Sequence, residues 1–195
     1  MALSNEKKKE TLIRNFDILK DNYEKNKSTL ASVVVKMLKI DIDTVVDMWT
    51  YLLTKHDSKL KSDDSWFLTG NIVYEGYKAI GKPKMAEIVL GNQTIKKALF
   101  SQAGGDGVYL FVGWMIASKI NSNELQLADE LLSMVYNNKN KENSWYEILD
   151  DIIPADPEDL QVSEEAYELL ERWCDKVTDA EERAKLSIKM MEFMD

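Results

Sequence analysis

The sequence predicts an all-α protein, an array of about ten or eleven antiparallel helices with no sheet. Glycine and proline are scarce, with 8 and 3 of 195 residues, whereas a β-sandwich or barrel needs many turn residues. Nearly every segment also repeats its apolar residues with a period near 3.6, which is the period of an amphipathic helix. We therefore expect long helices joined by short connections.

The first half of the chain contains four long segments with this helical period. We expect a first helix over about residues 5–26, a second from a cap at Ser28, and a third from a cap at Asp41 or Asp43. The fourth ends at Gly81, a residue type that tolerates the left-handed conformation of a helix stop. The proline two positions later is expected to open the next helix.

The second half is helical by the same criterion. Its longest apolar run, residues 108–117, indicates a buried helix, and the GGDG sequence before it indicates a break in the chain. We interpret Gly104, Gly105 and Gly107 as a structural connector, because the Lys-Ser/Thr of a phosphate-binding loop is missing. Side chains that accept hydrogen bonds from a first helical turn mark the other starts. These expected caps are Thr94, Asn121, Ser163 and Thr178.

Two short patterns occur twice in the same order. A Ser-Trp-aromatic triplet stands at residues 65–67 and 144–146, and a Lys-Ile pair with a polar cap stands at 39–41 and 119–121. Arrays of helical hairpins, such as HEAT or armadillo repeats, show self-similarity of this kind, because each hairpin covers only one side of its neighbour. In an irregular multi-helical bundle, which is the alternative, the match is chance.

The expected organisation is therefore one all-α domain over residues 1–195. Within it, two related halves are candidates at 28–103 and 107–177, followed by a C-terminal helix at 179–194. The two tryptophans of the doublet, Trp66 and Trp145, are expected to be structural, since large aromatic side chains are mostly buried.

The net charge of −9 is distributed unevenly. Residues 1–100 carry 17 Lys/Arg and 13 Asp/Glu, whereas residues 101–195 carry 8 and 21. A strongly negative half repels nucleic acid and anionic lipid, and it attracts basic protein surfaces. Only 3 of the 25 basic residues are arginine, the residue that reads phosphate and guanine best. We expect a basic protein partner, no nucleic acid and no membrane.

A cytoplasmic location is expected from cysteine usage and hydropathy. The single cysteine, Cys174, allows no disulfide within the chain, which favours a reducing compartment. The charged N-terminal residues lack the apolar core of a signal peptide. The ten apolar residues at 108–117 are about half of the roughly 20 that a membrane-spanning helix needs.

The sequence contains no recognisable catalytic or metal-binding motif. His56 is the only histidine, which rules out metal sites that need two histidines. A Ser or Cys nucleophile that is activated by histidine would have only His56 as its base. Cys174 is flanked by acids, which raise the pKa of a thiol. The acidic run before residue 166 lacks the ligand spacing and central glycine of an EF-hand. We therefore expect no enzyme, no cofactor and no metal.

The sequence is most consistent with a non-enzymatic interaction module, an adaptor, inhibitor or immunity-type protein. Its carboxylates would steer a basic partner, and exposed aromatic side chains would supply desolvated contacts. The candidate residues are Asp150, Asp151, Asp156, Glu158, Asp159, Glu164, Glu165 and Glu168, with Tyr146 and Tyr167. Two alternatives stay open. One is a carboxylate-only helical enzyme that uses a divalent cation, and the other is a protein that assembles head to tail with itself.

Overall fold

The described part of the chain is entirely helical. A computed structural model describes residues 3–56, 65–101, 106–138, 145–153 and 162–192, and over these residues it contains eleven α-helices and no strand. The predicted all-α class is therefore confirmed, while the repeated-hairpin arrangement stays a prediction. The helices are α1 (Asn5–Leu19), α2 (Tyr23–Met37), α3 (Ile42–Lys55), α4 (Ser65–Ile80), α5 (Lys82–Gly91), α6 (Gln93–Ser101), α7 (Asp106–Asn121), α8 (Leu125–Asn138), α9 (Trp145–Ile152), α10 (Glu164–Cys174) and α11 (Ala180–Met191).

The chain divides into two compact units, Met1–Leu99 and Phe100–Asp195. In the first unit, α2 packs against α1, α3 and α4, and α4 also packs against α5. In the second unit, α7 packs against α8 and α9, α11 packs against α9 and α10, and α10 packs against α8. Each unit therefore has its core around one central helix, α2 or α7. The prediction that the halves are related stays open.

Three of the expected helix boundaries are confirmed. The side chain of Asp41 accepts a hydrogen bond from Thr44 N at 3.2 Å, and it caps α3. Ser163 caps α10 in the same way. Gly81 has a φ of +88°, which residues with a side chain rarely adopt, and Pro83 stands in the first turn of α5.

The expected first helix over residues 5–26 is wrong, because two helices occupy it. The α1 helix ends at Leu19, and α2 begins at Tyr23 rather than at Ser28. The side-chain amide of Asn26 donates to Leu19 O at 3.3 Å and to Asn22 O at 3.0 Å. The bond to Leu19 O satisfies a carbonyl group at the end of α1, so the chain can turn while the apolar periodicity continues.

Three other expected caps are misplaced by one to three residues. Asn92 rather than Thr94 accepts a hydrogen bond from the first turn of α6, and Asp179 rather than Thr178 caps α11. No capping box forms at Asn121, since α7 continues through that residue. It ends in a Schellman motif in which Asn123 has a φ of 58° and Glu124 N donates to Lys119 O at 2.9 Å.

Candidate functional site

The α10 helix is fixed in the second unit by its buried face. Its hydroxyl cap, Ser163, satisfies the N–H of Ala166, and two glutamates in the first turn suit the positive end of the helix dipole. The helix packs against α8 and α11. The residues that it buries there are Ala166, Leu169, Leu170, Trp173 and Cys174.

The opposite face of α10 is an exposed row of carboxylates, which we call the acidic stripe. Its residues follow each other at intervals of four, three and four positions, which places them within an arc of about 60° and over a length of about 16 Å. They are Glu164, Glu168, Glu171 and Asp175, all exposed. Glu165 is also exposed, on the flank of the stripe.

The carboxylates of the acidic stripe have no basic partner in the described part of the chain. Other acids of the second unit do have one, and these are Asp150 with Lys189, Asp129 with Arg172, and Glu181 with Lys185. None of the four stripe residues forms an ion pair with a described residue. Among the described residues, no basic group therefore lies within ion-pair distance of these four carboxylates.

The division into two units coincides with the division of charge. Phe100 carries no charge, so the first unit holds 17 Lys/Arg against 13 Asp/Glu, and the second holds 8 against 21. The acidic stripe thus belongs to a unit with an excess of 13 acids. A basic molecule that approaches this unit meets an attractive field before it makes contact.

The structure distributes the other predicted binding residues over different environments. Asp150 on α9 is half-buried, and Lys189 Nζ donates to its Oδ1 at 2.7 Å and to its backbone oxygen at 3.0 Å. Asp151 is exposed at the end of α9, while Tyr146 and Tyr167 are half-buried. The α9 and α10 helices both pack on α11. The candidates that lie outside the described residues are Asp156, Glu158 and Asp159.

The structure describes only some of the glycines and tryptophans that were predicted to have a structural role. Gly107 lies in the first turn of α7, and Trp66 lies in the first turn of α4, with its side chain outside the description. Gly104 and Gly105 lie outside the described residues. Trp145 is 5% exposed, and its Nε1 donates to Trp173 O at 2.9 Å.

Trp145 belongs to an aromatic cluster that the sequence analysis missed. Its ring meets those of Tyr136 and Trp173 at centroid distances of 5.1 and 5.6 Å, and Trp173 Nε1 donates to Asp129 Oδ1 at 2.8 Å. The Lys176 ammonium lies 4.9 Å from the ring centroid of Trp173. The cluster joins α8, α9 and α10, so it holds the helix that carries the acidic stripe. The helical spacing of Trp173 with Leu169 and Leu170 is the signal that could have found it.

The two residues with nucleophile or base chemistry are both in structural positions. His56 is 5% exposed, its Nε2 donates to Lys20 O at 2.8 Å, and its ring stacks on Tyr23. Burial, with Asp175 and Glu171 nearby, raises the pKa of the Cys174 thiol to about 12. Among the described residues, no three His, Cys, Asp or Glu side chains come together as metal ligands. In the same part of the chain, every helix is too short or too polar to cross a membrane.

No family model, curated protein or solved structure matches this chain.

Proposed function

We propose that this protein is an interaction module that binds a basic protein through the acidic stripe of α10. The observation that supports this most directly is that Glu164, Glu168, Glu171 and Asp175 are all exposed, share one arc of the helix, and have no ion pair with a described residue. Lys or Arg side chains of a partner would complete these pairs. An adaptor, an inhibitor or an immunity-type protein would each use such a surface.

The dimensions of the acidic stripe suit one structural element of a partner. Successive carboxylates along it are about 4.5–6 Å apart in axial rise, which is less than the Debye length of about 8 Å at physiological ionic strength. Their fields therefore reinforce one another in front of the helix. Tyr167 lies about 40° beyond Glu171 around the helix and is half-buried, so part of its ring is available to a partner.

The stripe also has a cost for the fold, which supports a role beyond solubility. Carboxylates at i and i+4 on a helix repel each other, as Glu164 with Glu168 and Glu171 with Asp175 do. Glu171 and Asp175 also stand at the C-terminal end of α10, where the helix dipole disfavours negative charge. Surfaces that are kept for binding commonly reduce folding stability in this way.

The test compares two variants with equal net charge. The stripe variant carries Glu164→Gln, Glu168→Gln, Glu171→Gln and Asp175→Asn. The control variant removes four exposed acids of the first unit through Glu10→Gln, Glu24→Gln, Asp47→Asn and Glu87→Gln. Each is used as bait in a cell lysate at about 0.15 M salt, where long-range charge effects are already screened.

We expect a basic protein to be retained by the wild type and the control variant, and to be lost by the stripe variant. Equal loss from both variants would mean that only net charge matters, and equal retention would mean that the stripe is merely solvated. Melting with Mg²⁺, Mn²⁺ and Ca²⁺ is measured alongside, since a ligand that binds only the folded state raises the midpoint. A raised midpoint that the stripe variant loses would instead favour the cation-dependent enzyme.

A further inference from the structure

The α1 and α2 helices of the first unit form an open groove of about 250 Å³. One row of side chains from each helix lines it, at the three- and four-residue spacings of a helix face. Its apolar lining residues are Leu12, Ile18 and Leu19 on α1 and Val33 on α2, and its polar ones are Asn15, Thr29, Ser32 and Lys36. Ile18 is 72% exposed. A groove between two packed helices with this spacing accepts a third helix.

The α11 helix of the second unit has an apolar face that its own unit does not use. Its inner face buries Leu186 and Met190. On the outer face, Ile188 and Met191 are 62% and 59% exposed. Two exposed alanines continue this row towards the start of the helix, and the four residues share an arc of about 80° over a length of about 16 Å. We call Ala180, Ala184, Ile188 and Met191 the apolar stripe.

The groove and the apolar stripe lie in units of opposite net charge. The groove belongs to the unit with an excess of Lys/Arg, and the stripe to the unit with the large excess of Asp/Glu. Lys36 stands at the groove, and Glu192 lies about 40° from Ile188 around α11. Neither Lys36 nor Glu192 forms an ion pair with a described residue, so each is available to the other across a contact between two molecules.

We propose that the apolar stripe on α11 of one molecule docks in the α1–α2 groove of a second copy. The two surfaces differ, so this contact is heterologous and leaves one groove and one stripe open. Assembly therefore continues head to tail unless the rotation closes it into a ring. The contact uses none of the acidic stripe residues on α10, so it stands independently of the binding of a basic partner.

The test is sedimentation of the full chain with one charged substitution in each surface. Ile18→Asp alters the groove and Ile188→Asp alters the apolar stripe, and both side chains are largely exposed, so the fold tolerates the changes. The wild type is expected to gain mass over about 1–500 µM, the range of weak association. Each variant is expected to raise the dissociation constant at least about tenfold, because it places an unpaired charge in an apolar contact. Circular dichroism melts verify that both remain folded.

Mixing the two variants separates this arrangement from a symmetric one. The Ile18→Asp molecule keeps its apolar stripe and the Ile188→Asp molecule keeps its groove. A mixture of the two therefore forms a heterodimer that does not assemble further. Leu3→Asp and Leu110→Asp are matched controls at exposed apolar positions of the same two units, and they are expected to associate like the wild type. Three results would overturn the proposal. They are a wild type that stays monomeric, an Ile18→Asp variant that still associates as the wild type does, and a mixture that stays monomeric.

Discussion

Gly113 marks a close approach between α7 and the backbone of α9. A Cβ atom at this position would lie 3.3 Å from Asp151 O, 3.5 Å from the Asp151 carbonyl carbon and 3.6 Å from Ile152 Cγ1. The nearest of these atoms belong to the main chain of the last turn of α9, which cannot rotate away as a flexible side chain can. Adding side-chain volume at Gly113 should therefore strain the core of the second unit.

The size of the effect follows from two opposing contributions. Alanine is about 0.8–1.0 kcal/mol better than glycine in a helix interior, and the 3.3 Å contact removes part of this gain in Gly113→Ala. Valine adds two methyl groups beyond Cβ, and overpacking of this kind costs about 1–3 kcal/mol. We expect Gly113→Val to lower the free energy of unfolding by about that amount, and Gly113→Ala to remain within about 1 kcal/mol of the wild type.

Gly91, the last residue of α5, provides the matched control. A Cβ atom there meets nothing within 4 Å, so Gly91→Ala is expected to raise stability by about 0.4–1 kcal/mol. The free energies are measured by urea unfolding followed by circular dichroism, with the midpoint and slope fitted separately. A Gly113→Val protein as stable as the wild type, beside a Gly91→Ala protein that is stabilised as expected, would refute the close α7–α9 packing.

Two further predictions concern titratable groups. The Lys9 ammonium, followed by the N–H and hydroxyl of Thr44, lowers the pKa of Asp41 from 3.8 to about 2. The stability that Asp41 contributes is therefore present above pH 3.8 and is lost as the pH falls towards 2, and Asp41→Asn should remove this part of the acid dependence in melts recorded against pH. Parallel curves for the two proteins would contradict it. The raised thiol pKa of Cys174, about 12, predicts that a thiolate-seeking reagent reacts only on unfolding, and equal rates for folded and denatured protein would contradict this.

The fold class could be predicted because helical periodicity is a local property. The buried residues of α3 include Val45, Met48, Trp49 and Leu52, whose spacing of three and four residues is visible in the sequence. The break between α1 and α2 could not be predicted in the same way. It depends on the side-chain amide of Asn26, which bonds backward to Leu19 O over seven residues. Such a bond cannot be predicted from periodicity, because the apolar positions continue on both sides of the turn.

The same distinction between local pattern and distant contact applies to the candidate site. Glu164, Glu165 and Glu168 were predicted together, and they lie together, because they belong to one helix. Asp150 was counted as an equivalent acid, although its carboxylate is bound by Lys189, which is 39 residues away in the chain. Counting the acidic residues of a sequence does not reveal that one of them is neutralised by a basic residue far away in the chain.

The buried positions of the two units suggest a different correspondence from the sequence doublet. In each unit the central helix packs against the helix that follows it and against the next one, so the contacts among α2, α3 and α4 match those among α7, α8 and α9. The buried residues Leu30, Val34 and Leu38 correspond to Val112, Ile116 and Ile120 at a spacing of 82. At a spacing of 83, the buried residues Val45, Met48, Trp49 and Leu52 of α3 correspond to Ala128, Leu131, Leu132 and Val135.

The α4 and α9 helices show that the Ser-Trp doublet is a poor marker of a repeat. In α4 and α9 the buried side chains correspond at a spacing of 80, as Leu68 and Ile72 do with Ile148 and Ile152. The Ser-Trp doublet repeats at 79, one residue out of this register, so Trp66 aligns with Tyr146 rather than with Trp145. The spacing between corresponding buried residues is thus 82, 83 or 80, depending on the helix pair. Two related units whose connections differ in length would show such a range. If the halves are related, the relation is carried by which positions are buried, because burial constrains the spacing of apolar residues and leaves their identity free to change.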